Sequence, residues 1–235
     1  MPERESNNRG RAEIETELSR IEDAVDSGDT DLSGLGFWRL VRELKAHPEL
    51  ASRFADQVGL IDRKAFEQRV RPRFPVPLGN AVLAGGVTVG GALLGWAIAC
   101  DDPGQAGVAL LASAGVLSVS AHDLGHWVAG RMAGIRFSSY FLDGPFRIQP
   151  GLKTDYGSYL RASAEARARM HAAGAVASKV APFVSLAAWP ATAAPEWAAL
   201  AVLGLGLVQI ATDAIWSTKK SDWKKYARER GFVGR

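Results

Sequence analysis

The chain has a single cysteine, Cys100, among 235 residues, so no intrachain disulfide can staple it. No long hydrophobic run occurs before about residue 75. The opening segment is polar and charged, which argues against a cleavable signal peptide. Residues 11 to 70 hold no catalytic pattern, and His47, beside Pro48, reads as a surface residue. The slight positive excess of +3 would be a weak hint of nucleic acid in a soluble protein. Here its distribution around apolar runs explains it better, and no nucleic-acid partner is expected.

Charge is nearly absent from four later stretches. Leu78 to Cys100 is uncharged over 23 residues, long enough to cross ~30 Å of hydrocarbon at ~1.5 Å per residue. A second run from Gln105 contains only His122, Asp123 and His126 as titratable groups before Arg131. A third, from Ala172 to Ala194, is interrupted only by Lys179, and a fourth, from Trp197 to Trp216, only by Asp213. These runs predict an all-α integral membrane protein with four transmembrane helices.

Lysine and arginine are also missing from the loops around Asp101 and Pro195–Glu196, whereas Arg69, Arg71, Arg73, the segment 131–169 and Lys219–Lys225 are basic. The positive-inside rule then puts both termini in the cytoplasm of a multi-pass protein of the cell membrane. Three regions follow: a cytosolic helical segment with a Pro-rich linker at 1–74, a membrane core at 75–217, and a basic cytosolic tail at 218–235. In the first, Ile14, Leu18, Ile21 and Val25 recur at helical spacing, and two or three short helices are expected between Leu35 and Val70. Between the second and third spans, alternating aromatic and polar residues with turns at Asp143-Gly144-Pro145 and Pro150-Gly151 predict a short β-hairpin whose edge can pair with an extended peptide. Glycines at 86, 90, 91 and 95 offer faces for close helix approach.

The second run carries the chemistry. His122 and His126 are four apart, hence on one helical face, able to grip one metal ion, with Asp123 beside them. A catalytic zinc commonly takes three protein ligands and leaves one position for water. Candidates for the third are Asp143, Asp155, His171 and Asp213. Counting from the first following charge places the histidine pair and Asp213 at the same depth, ~10 Å from the flank at ~1.5 Å per residue, and so selects Asp213. His171 reads instead as structural or headgroup-facing. Lys179 either snorkels to the interface or faces the site and holds a carbonyl oxygen.

With these residues the chain resembles the site-two protease family of intramembrane zinc metalloproteases over about Gly107 to Asp222. His122-Asp-Leu-Gly-His126 stands for the family's H-E-x-x-H, Gln209 to Trp216 for the segment bearing its ligand aspartate, and Ala172-Ala-Gly-Ala-Val-Ala-Ser178 for A-G-P-x-x-N. Asp123 replaces the usual glutamate, Ala175 and Ser178 replace proline and asparagine, and Asp213 is followed by alanine rather than glycine. Leu142-Asp143-Gly144 copies the family's L-D-G but lies outside the apolar run. The resemblance implies zinc held by His122, His126 and Asp213, with Asp123 as general base, and intramembrane proteolysis near the cytoplasmic face. It also implies a membrane-protein substrate and a regulatory membrane partner controlling access. Two alternatives stay open: a catalytically weak or inactive metal-binding membrane scaffold of the same fold, and a metal-dependent membrane hydrolase acting on something other than a peptide.

Overall fold

The computed structural model describes residues 2–143, 149–215 and 221–234, with side chains 2–9, 143 and 214 left undescribed. The turn expected at Asp143–Pro145 and the flanking Lys219 and Lys220 fall outside them, wholly or in part. An N-terminal cap consists of α1 (Pro2–Asp26), α2 (Phe37–Lys45) and α3 (Pro48–Arg69). Proline at the first position of α3 removes an amide that has no intrahelical acceptor there. Ile14, Leu18, Ile21 and Val25 of α1 meet Phe37, Leu40, Val41 and Leu44 of α2 and Phe54, Val58 and Ile61 of α3 in one buried core. His47 is exposed, and so are Trp38 of α2 and Leu60 of α3.

Among the described residues, four helices are long and apolar enough to cross a membrane: α4 (Val76–Ala99), α5 (Pro103–Met132), α7 (Ala164–Ala188, continued by a 3-10 turn to Ala191) and α8 (Glu196–Ile215). Between α5 and α7 lie strands β2 (Phe137–Asp143) and β3 (Gln149–Thr154) and the short α6 (Tyr156–Arg161). The hairpin pairs antiparallel, with Tyr140 opposite Leu152 and Phe141 opposite Gly151. The stretch expected as a free linker contributes a third strand, β1 (Arg73–Phe74), set against Phe141 and Tyr140 of β2. The sheet order β1-β2-β3 leaves β3 at an edge. The segment expected as a basic tail contains a helix, α9 (Asp222–Arg230), packed along α7.

Two close helix crossings bring the apolar helices together. On α4, a side chain at Gly86 or Gly90 would run into Ser120 or Leu117 of α5, and Ser113 Oγ donates to the Gly90 carbonyl at 2.8 Å. Gly91 and Gly95 face open space, so only one of the two expected glycine faces is used within the chain. Between α5 and α7, Gly125 approaches Gly174 so closely that a Cβ at 125 would lie 3.1 Å from the Gly174 Cα. α5 ends at Gly134, whose φ of 75° is the left-handed conformation that glycine adopts without strain. The Ile135 amide then returns to the Gly130 carbonyl at 2.8 Å and aims the chain into β2.

Candidate metal centre

The Gly125–Gly174 crossing sets the histidine face of α5 against α7. His126, buried, places Nδ1 2.8 Å from the Met170 carbonyl oxygen, which can only accept. His122 places Nδ1 3.3 Å from Ser178 Oγ, and that hydroxyl spends its own hydrogen on the Ala175 carbonyl at 3.1 Å. Each neutral ring therefore carries its proton on Nδ1 and presents a lone pair at Nε2. Outer partners fixing the tautomer of a ligand histidine in this way are the common arrangement around bound metals.

Both lone pairs point at one oxygen. Asp222 Oδ2, from the first turn of α9, is 3.3 Å from His122 Nε2 and 3.1 Å from His126 Nε2. Its other oxygen accepts from Lys225 Nζ at 3.0 Å. Two imidazole lone pairs facing a carboxylate oxygen repel unless both rings are protonated or a cation lies between them. Ligands at ~2.0–2.1 Å from a tetrahedral ion are about 3.3 Å apart, close to the separations found here. The donor set therefore fits a metal ion.

Asp123 adjoins the pair. The ligand atoms of His122, Asp123 and His126 lie within 4.8 Å of one another, and the group could hold a metal. Asp123 is buried, and its Oδ2 has no hydrogen-bond partner. A buried carboxylate oxygen without a donor is costly and marks a place where a proton, water or ion belongs. These residues open on a cavity of about 300 Å³ that Phe141, Thr154, His171 and Lys225 also line. Phe141, Thr154, His171 and Lys225 also line a second cavity, of about 540 Å³, beneath the cap.

Asp213 is not brought to the histidines. Its carboxylate pairs with Lys179, and the two line a different, largely apolar cavity of about 680 Å³ with Phe183 and Trp223. Gly107 meets Ala198 and Ser118 meets Gln209, both at an offset of 91 residues, which puts Asp213 level with His122 along the two helices. Depth fixes height but not direction around the helix, and at that height α7 offers Lys179 to Asp213. Lys179 is thus engaged by Asp213, and its Nζ also donates to the Ala175 carbonyl at 3.3 Å.

Four contributors escape the sequence. Asp222 sits past the last apolar run among lysines, though Ser221-Asp222 is an N-cap followed by an acidic first turn, a helix-start signal. His171, read as structural or headgroup-facing, has its Nε2 2.9 Å from Tyr159 Oη and its ring 6.3 Å from that of His126. Gly174 leaves the space that the His126 ring fills. The Met170 carbonyl is backbone and carries no residue signal. Compared with known proteins, the chain matches no family model, no curated protein and no solved structure.

Proposed function

We propose that this membrane protein is a zinc-dependent intramembrane endopeptidase resembling the site-two proteases, with His122, His126 and Asp222 holding the metal. The observation that carries the proposal is the convergence of two tautomer-fixed imidazoles and one carboxylate oxygen beside the unpartnered Asp123 Oδ2. Zinc held there would supply a Lewis acid that polarises a carbonyl and acidifies water. Asp123 would hold the position of the general base, able to accept a proton from the attacking water and pass it to the leaving amine, the work of the glutamate that it replaces. Its side chain is one methylene shorter, but its burial against the histidine pair keeps its oxygen close to the donor set. His171, its ring within the same cavity and bonded to Tyr159, orients a polar group of the substrate. β3 lines that cavity with Gly151, Leu152 and Thr154, so a peptide paired along the strand would pass the histidines extended.

The distribution of Lys and Arg supports a site near the cytoplasmic face, with both termini on that side. The substrate is then a membrane-associated protein cut close to that face. The test is metal analysis of purified chain together with cleavage of a membrane-anchored reporter. Wild type should hold one zinc per chain and cleave, His126→Ala should lose both, and Asp123→Asn should keep the metal and lose cleavage. A wild type that holds no zinc ends the proposal. Cleavage absent from wild type but gained by Asp123→Glu would instead support a metal-binding scaffold with a disabled site.

A further inference from the structure

Glu229 lies seven residues beyond Asp222, on the same face of α9. It is only 2% exposed, and it draws two cations from parts of the chain far from each other. Lys45, the last residue of α2 in the cap, has Nζ 2.5 Å from Oε1, and Arg167, in the first turn of α7, has Nε 2.6 Å from Oε2. Both cations also stand over the Tyr159 ring, at 4.8 and 5.6 Å, and Arg167 donates to the Ala162 carbonyl at 2.6 Å. All three charged groups are buried, so displacing Glu229 leaves two cations without a counter-charge in a medium that cannot solvate them, and removing either cation costs Glu229 one of its two ion pairs. The arrangement therefore accepts one position of α9 and penalises others. That position is the one from which Asp222 reaches both histidines.

We infer that the N-terminal cap sets the metal affinity of the centre through α9, with Glu229 and Lys45 acting as positioning residues for Asp222. The inference rests on Asp222 completing the metal site. Docking the cap on Glu229 and binding metal at Asp222 then favour the same placement of one helix, and the coupling is reciprocal. A membrane partner that draws α2 away from α9 would loosen the metal, and metal loss would loosen the cap.

The experiment uses the full chain in detergent or nanodiscs, titrated with zinc against a competing chelator. Lys45→Met, which keeps the Glu229–Arg167 pair, should weaken zinc binding by roughly 5- to 150-fold, the usual range of such couplings. Lys45→Arg should restore most of it. In wild type, zinc should slow amide exchange in α2, which carries no ligand, and leave α4, which carries neither ligand nor clamp, unchanged. This measurement stands even if Lys45→Met does not fold. Zinc binding within twofold of wild type in Lys45→Met, or α2 exchange indifferent to zinc, overturns the inference and leaves the metal centre standing. Asp222→Asn with wild-type affinity removes its premise. A wild type that binds no zinc overturns the inference and the proposed activity together.

Discussion

Replacing Gly174 by alanine should empty the metal centre without altering a ligand. A Cβ at 174 would lie 2.5 Å from His126 Cε1 and closer still to Nε2 and Cδ2. Carbon atoms rest at ~3.5–4.0 Å, so the ring must retreat by about 1 Å. The Nδ1 bond to the Met170 carbonyl, 2.8 Å long, would then stretch toward ~3.8 Å and cease to be a hydrogen bond. Metal sites tolerate ligand displacements of about 0.2 Å, and loss of an outer partner alone costs ~10–100-fold in affinity. Zinc affinity should therefore fall by about 100-fold or more, read by chelator competition and by metal content of the purified chain. Gly125→Ala controls for helix spacing. Its Cβ would meet the Ala173 carbonyl at 2.9 Å and the Ala177 Cβ at 3.0 Å at the same crossing. A folded Gly174→Ala with full occupancy refutes the reasoning, and equal loss in both variants shifts the cause from the ring to helix spacing.

Other outcomes follow from the same geometry. Asp222→Asn should lose metal, whereas Asp213→Asn should keep it, because Asp213 serves Lys179; metal analysis of the two variants decides which carboxylate completes the centre. Asp123→Asn should lower the cleavage rate by ~10²–10⁴-fold at unchanged metal content, as expected for loss of a general base. Burial pushes the Lys45 amine down to about 8 against the pull of Glu229, so the unfolded chain binds the extra proton between about pH 8 and 10.5. Stability then rises with pH in that window: wild type should gain about 2 kcal/mol on Lys45→Met between pH 7.5 and 9.5, measured as the difference in denaturation midpoints. Gly91→Ala and Gly95→Ala meet open space and should be neutral or stabilising by up to ~1 kcal/mol in the isolated chain. A loss of stability on dilution in those variants alone would reveal a second copy packed on that face.

The apolar helices were legible because their signal is additive: some twenty uncharged residues in a row have few other uses. The helical faces of the cap were legible from spacing, and the His122/His126 pair from the four-residue step that stacks side chains on one face. The third ligand proposed above was not. Its depth could be counted along a helix, but two helices at one height still leave the azimuth of each side chain open, and Lys179 settled it for Asp213. Asp222 was hidden by its neighbours, since a carboxylate among lysines reads as solvated surface until a packed helix beneath it is known. Glu229 was hidden in the same way, for its two counter-charges lie 184 and 62 residues away. Arg73 and Phe74 pass in sequence for linker because two residues of strand have no period to detect.

The donor set also has an order in time. His126 and Asp222 are separated by 96 residues of chain, with two apolar helices and a hairpin between them. During synthesis the histidines are finished and threaded into the bilayer well before the ribosome reaches the carboxylate that would close their coordination. A nascent chain stopped after α8 would present the two imidazoles and Asp123 without Asp222. The donor set proposed for the metal would thus stay incomplete throughout insertion and close only once α9 has been made and docked.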